Sequence, residues 1–556
     1  LTRVAAAQLA TGTDVAANLD ACLRMIDQAA AATAELVVLP EFCNHLSWYD
    51  DRAHARRMAC ELDDSFLTAI ARRAARHRMY LKIGVTLARP DGRTTGTGLL
   101  FGPDGGLLGE SDKQILMGAE NDYLDPGSAD SPVLDTPIGR IGMYACMEGV
   151  INEVTRSLAL RGAQLLLNSL NSFAIDEASL HVPVRAAENK VWVVAANKVG
   201  PLLPHAQLPA IAARLGVPPD RLHGAGESRI VAPDGTTVAL APPTGEAIVL
   251  ADIDLALADD KRRPDGTDLL AARRPELYAP LAAAPNPRRH PPGAAELPVA
   301  LVAPDASAIK AGAADGVALM VLPELADIAV AEVIGVLAGS DAYAVLSVRA
   351  GGAHYGVLVD ATGVVGRQPQ LHPTRRHPWL TEPGDTLEVF DLPWGRLAIV
   401  VGDDALFPET FRLAAIQDAD VVAVPFSPVE SWELRLGLPE RAAENRLNVV
   451  AAGEADGELA GAIFGLSPDF TLWTTWTGPF TGVISQPIST AATPGARYVP
   501  AVVRPAQAVN RAVSRGTDLV DGRPRQPIRQ PSDNESSSVT TEPTNPSGQP
   551  SSEVRR

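Results

Sequence analysis

The chain has 556 residues, of which 46% are apolar and 21% charged, and carries a formal net charge of −18. That length exceeds what one hydrophobic core usually holds, so at least two domains are expected. The acidic balance argues against nucleic acid or an anionic membrane as a partner. The four cysteines, Cys22, Cys43, Cys60 and Cys146, all lie in the first third and form no CxxC pair. This excludes a disulfide framework and a zinc pattern, and it fits a reducing, cytoplasmic setting.

In chain order, "LTRVAAAQLA" reads as a strand, with neither a signal-peptide pattern nor a membrane span. A helix follows near 15–31, where Val15, Leu19, Cys22 and Ile26 share one face. "AELVVLP" is a short apolar strand stopped by Pro40, and "DDSFLTAIARRAARHRM" is an amphipathic helix. Further on, "RIGMYAC" is a strand, "INEVTRSLALRG" a helix closed by Gly162, and "AQLLLN" another strand. Such alternation predicts α/β layers with buried strands.

The chain also repeats itself. "RAAEN" stands at 185–189 and again at 441–445, 256 residues later, and "VLPE" stands at 38–41 and 321–324. The pairs "PG" at 126–127 and 383–384 and "GR" at 139–140 and 395–396 keep the same order. These anchors predict two copies of one domain, the second shorter by about 26 residues where the first carries its amphipathic helix. The expected organisation is a first domain at 1–281, a proline-rich linker at 282–296, a second domain at 297–510 and a disordered tail at 515–556. The insert "GPLLPHAQLPAIAARLGVPPDRLHGAG", 200–226, occurs only in the first copy. It reads equally well as a surface excursion or as a specificity loop.

Three residues of the first copy carry chemistry when taken together. Glu41 ends a buried strand, Lys113 follows an apparent hairpin and is one of only six lysines, and Cys146 stands at a strand-to-helix junction. Singly, each has an ordinary explanation: a solvated carboxylate or ammonium, or a small buried hydrophobe. In this order, and with "RAAEN" and "GESRIVAPDG" following, copy one resembles the carbon–nitrogen hydrolase (nitrilase) superfamily from its first strand to about residue 281. The resemblance implies two αββα sandwich domains in tandem and a Glu–Lys–Cys triad, with no metal or organic cofactor. Cys146 is then the nucleophile, Glu41 the general base, Lys113 and the backbone amide of Met147 the oxyanion donors, and Glu120 a second carboxylate near the lysine. Glu148, Asn168 and Asn171 are candidates for touching substrate. Arg185 and Glu188, inside "RAAEN", are expected to hold the loops around the site.

The second copy keeps a carboxylate at Glu324, but Gly402 falls at the nucleophile position and Gln370 opposite Lys113. It contains no cysteine. It is therefore expected to be inactive and to act as an intrachain pseudo-dimer partner that supports or gates the first site. The expected reaction is hydrolysis of a small carboxamide or N-carbamoyl compound through a thioester. Nitrile hydrolysis, glutaminase action and a pseudoenzyme scaffold remain as alternatives, and a homo-oligomer is compatible with all of them.

Overall fold

The structure is a computed structural model that describes residues 1–287, 289–467 and 480–525. Its first half is a four-layer αββα sandwich. One six-stranded sheet runs in the order Ala247–Ile253, Thr2–Gln8, Leu36–Val38, Tyr80–Ala88, Thr94–Phe101 and Leu107–Asp112. The facing sheet runs Thr237–Leu240, Arg229–Val231, Trp192–Ala196, Leu165–Ser169, Gly139–Ala145 and Val133–Thr136. The central strands pair in parallel and the edges antiparallel.

Strand periodicity explains why these sheets bury both faces. Along Thr2–Gln8, Val4 and Ala6 point between the sheets, whereas Ala5 and Ala7 point towards the helices Val15–Ala31 and Ser65–His77. Leu165 and Leu167 likewise face the other sheet, and Leu166 faces the helix layer. A strand covered on both sides reads as a continuous apolar run, which is why these segments were legible. The helix at 15–31 begins at an aspartate cap, Asp14, whose side chain accepts from the amides of Ala16 and Ala17.

The second half repeats this architecture with the same strand order in both sheets, from Leu297–Val302 to Tyr498–Val503. In place of the helices Arg52–Met58 and Ser65–His77 it has the single helix Val330–Val336, as the shortened spacing implied.

The two sandwiches pack through their helix layers. Val184 and Ala187 of one helix meet Leu436 and Ala443 of its counterpart in a shared apolar cluster. Around it lies a buried ionic network with two-fold character. Arg156 pairs with Glu409, and Arg412 pairs with Glu153, at 3.0 and 2.8 Å. Arg185 reaches Glu444 at 2.8 Å, and Arg441 reaches Glu188. The repeated phrase therefore does something other than hold the loops of its own site: its two copies grip each other across the domain interface. Arg185 does both, because it also donates to the carbonyls of Gly149 and Val150 just beyond Cys146.

Each half also sends its final segment across to the other. Arg274 donates to the carbonyl of Leu371, and Tyr278 bonds His372 at 2.6 Å. In return Val513 and Leu519 join the apolar cluster under Cys146. Residues 515–525, expected within the tail, are folded: Leu519 is fully buried in this cluster and Val520 in a core cluster of the second half. The remainder of that expected tail lies outside the described residues. No helix among the described residues is long and apolar enough to cross a membrane.

Candidate active site

Glu41 leaves its strand through Pro40 and is 3% exposed. The next residue, Phe42, turns the chain in the left-handed region at φ 52°. The approach of the neighbouring strand is close: a Cβ on Gly84 would stand 2.8 Å from the Glu41 Cα, so only glycine fits there. Lys113, 1% exposed, closes the hairpin Thr94–Phe101 and Leu107–Asp112 and puts its Nζ 2.9 Å from Glu41 Oε1. The same Nζ lies 2.9 and 3.0 Å from the two oxygens of Glu120. Glu120 is fixed in turn by the amide of Met117 at 3.0 Å. The ammonium is thus clamped between two carboxylates, and its ring-side flank faces Phe42, 5.6 Å from the centroid.

Cys146 sits where the strand Gly139–Ala145 turns into a 3-10 turn, with φ at 46°. A left-handed φ is costly for a residue with a Cβ and recurs where a side chain must be presented at a site. Its amide donates to Asn168 Oδ1 at 3.1 Å, and its Sγ stands 3.8 Å from Glu177 Oε2. Met147 follows in the same turn, whose first amides have no partner within the turn. Cys146 opens onto a cavity lined by Trp48, Met117, Glu120, Asn171, Phe173 and Ile484, among others.

Burial dominates the electrostatics. It raises the Glu41 carboxyl to about 7, with Lys113 pulling down and Glu120 pushing up. Burial opposes the charged form of Lys113, yet Glu120, Glu41 and Cys146 outweigh it and hold the ammonium well above its ordinary range. The Cys146 thiol is pushed well up, first by burial and then by Glu177, against the pull of Lys113. A thiol in that state needs a base to become a nucleophile.

The structure brings Glu41, Lys113, Glu120 and Cys146 together and puts Met147 and Asn171 beside them. It corrects two other assignments. Glu148 is fully buried away from the cavity, where its carboxylate accepts from the amides of Gln114 at 2.7 Å and Ala145 at 2.9 Å. It ties the lysine loop to the cysteine strand, and burial holds it near 7. Asn168, also fully buried, positions the Cys146 backbone and does not line the cavity. Asn171 does line it, and its Nδ2 donates to Ser47 Oγ at 3.0 Å. The insert also reaches the cavity through Leu202, Leu203 and Leu222. Sequence reasoning missed Glu177 and the buried Lys82, which donates to Ser169 and is lowered to about 7 by burial. Only the rarity of lysine pointed to Lys82.

The equivalent place in the second half is filled. Gly402 has φ 54°, the same backbone turn as Cys146, and a Cβ there would collide with the Glu324 carboxylate. Both oxygens of Glu324 are taken by Arg376, at 2.8 and 2.7 Å. Arg376 and Arg263 also bind Asp403. Glu324, His354 and His377 approach closely enough to suggest a metal cluster. However, both nitrogens of His354 are bonded, to Gln370 at 2.7 Å and Ser347 at 3.0 Å, and Glu324 is already neutralised by Arg376. The lysine role has been taken by an arginine that seals the site.

A four-layer αββα sandwich with a buried thiol, an ammonium and two carboxylates at its strand ends defines the class as a hydrolase built around a cysteine. Residues 3–263 match the family described as carbon–nitrogen hydrolase. A nitrilase of Pyrococcus abyssi is 28% identical over 264 residues, 47% of this chain and 92% of that protein. A protein of Pseudomonas protegens described as a hydrolase in the pqqF 5' region is 30% identical over 273 residues, 48% of this chain and 86% of that one. An omega-amidase of Bos taurus is 27% identical over 297 residues, 50% of this chain and 96% of that one. The chain belongs to the carbon–nitrogen hydrolase family.

Proposed function

We propose that the first sandwich hydrolyses a small carboxamide through a thioester on Cys146, and that the second is catalytically silent. The observation that carries this reading is the Lys113 ammonium held 2.9 Å from both Glu41 and Glu120 beside a buried thiol. In the first step Glu41 takes the thiol proton and the sulfur attacks the amide carbon. The oxyanion that forms is stabilised by Lys113 and the amide of Met147. The C–N bond then breaks, Glu41 returns the proton to the leaving nitrogen, and ammonia departs, leaving the acyl group on sulfur. Water, deprotonated by Glu41, attacks the thioester; the acid leaves and the thiol is restored. A carboxyl held near 7 suits a group that must accept and return a proton near neutrality. Glu120 is a positioning residue in this scheme: it orients the ammonium and does not exchange a proton.

The likeness to a protein named nitrilase keeps nitrile hydrolysis as the second reading, since the same thiolate attacks a nitrile carbon. The test is ammonia release from amides, N-carbamoyl compounds, glutamine and nitriles, beside Cys146→Ala. Release that vanishes in the variant supports a thiol hydrolase, and the responding compound selects the branch. Silence throughout, with Cys146 no more reactive than Cys22, would favour a scaffold.

A further inference from the structure

The cavity over Cys146 is closed on one side by the other half of the chain. Ile484, 3% exposed, lines it from a segment that belongs to the second sandwich. That segment is clamped onto the first sandwich by a single fully buried carboxylate: Asp176 accepts from the amides of Ile484, Ser485 and Gln486 at 3.1, 2.9 and 3.0 Å. The amide of Ile175 donates to the Gly482 carbonyl at 2.8 Å, and Phe480 meets Phe173 edge to face, with centroids 5.5 Å apart. Ser485 also bonds His181, whose other nitrogen bonds Glu440 at 2.7 Å. Burial disfavours the charged imidazolium of His181, but Glu440 and Asp176 outweigh it and raise the ring to about 10, so the clamp stays charged at neutral pH.

The charge in this enclosure is one-sided. Trp48, Met117, Phe173, Leu203 and Ile484 form apolar walls, and among the described residues the ionisable side chains on the lining are Glu120 and Cys146. Glu41 and Glu177 stand just behind. Lys113, the cation among the described residues that acts on the thiol, is already shared between two carboxylates. Arg221, which lies near Gly482, is exposed and is not on the lining. A carboxylate on the acyl group would therefore be buried without a partner and next to like charge, whereas an alkyl or aryl group would meet matching surface.

We propose that the cysteine-free second sandwich completes the acyl-side wall through Ile484, so that the site selects amides with an uncharged, apolar acyl group. This rests on the amide-hydrolase reading above. The experiment compares kcat/KM for ammonia release from hexanamide with that from adipamate, its carboxylate-bearing analogue, and from acetamide, which has only a methyl group on the carbonyl. The full chain should prefer hexanamide over adipamate by about 100-fold or more, the scale on which an unpaired buried charge is rejected. Ile484→Arg should shrink that ratio by about tenfold or more through a gain on adipamate. Ile484→Ala should weaken hexanamide turnover more than acetamide turnover. Equal use of hexanamide and adipamate would overturn the proposal while leaving the amide reading intact. So would an Ile484→Ala variant that lowers hexanamide and acetamide alike. Absence of turnover on every amide would remove both.

Discussion

Arg185→Ala tests whether the two halves are held by the buried ionic network. Arg185 is fully buried and bonds Glu188 at 2.6 Å, Glu440 at 2.5 Å and Glu444 at 2.8 Å. It also satisfies the carbonyls of Gly149 at 2.9 Å and Val150 at 3.1 Å. Truncation leaves Glu188 and Glu444 to share Arg441, leaves Glu440 with His181, and strips two carbonyls of this donor. Removing one partner of a buried ion pair costs about 3–5 kcal/mol. An orphaned buried carbonyl adds about 1–3 kcal/mol. Because these terms share one cavity and relax together, the expected loss is at least about 4 kcal/mol, not their full sum. The comparison is Arg3→Ala, whose pair with Asp252 is 42% and 45% exposed and is worth about 0–1 kcal/mol. The measurement is the first urea unfolding transition of the full chain, followed by tryptophan fluorescence. A pH series adds a sign. Burial already raises the Glu444 carboxyl and Arg185 holds it down, so without Arg185 its folded value climbs further above the unfolded one; the penalty grows as pH rises through that folded value and relaxes as pH falls. The gap from wild type should therefore be narrower at pH 5 than at pH 8. A loss below about 1 kcal/mol, or no different from Arg3→Ala, would refute the reasoning.

The carboxyl of Glu41, held near 7, predicts that kcat/KM on an amide rises with pH through that value, falling about tenfold per unit below it. Lys113→Met should move the inflection upward, because the ammonium is what lowers Glu41. Glu177→Gln removes a negative charge 3.8 Å from Sγ and should lower the Cys146 thiol pKa, seen as faster alkylation by iodoacetamide at neutral pH. Gly402→Cys should not create a second reactive thiol, since its Cβ collides with Glu324 and the site is occupied by Arg376; thiol counting of the native variant would check this. Ser514→Ala with Thr517→Val removes the bonds from the second half's final segment to the Gly118 amide and the Leu116 carbonyl, beside Glu120. Amide turnover should fall about tenfold while the unfolding midpoint moves little, because the loop that positions Lys113 loses its brace.

Much of this was readable from residues. The strand and helix at the first half's start followed from apolar periodicity; Glu41, Lys113 and Cys146 stood out at a strand end, after a hairpin and at a strand-to-helix junction, and Glu120 was implied by the family resemblance. What stayed hidden depended on direction or on distance along the chain. Asn168 lies on the same strand face as Leu166, towards the helix layer, so period-two alternation alone would have placed it behind Cys146. Glu148 turns back within the 3-10 turn to cap backbone amides, and no spacing in "CMEG" announces that. Glu177 reaches the thiol from 31 positions away through a loop fixed by the other sandwich. The meaning of "RAAEN" was obscured for the same reason: a phrase kept in both halves looks like a motif of each site, yet its partners lie across an interface that appears only on folding.

The most direct test of the central claim is mass spectrometry of the full chain quenched in acid during turnover of a responsive amide. The account predicts an adduct on the peptide containing Cys146, equal to the substrate less ammonia, that is absent in Cys146→Ala together with ammonia release. Ammonia release that persists in Cys146→Ala, or turnover with the acyl group on any other residue, would contradict it.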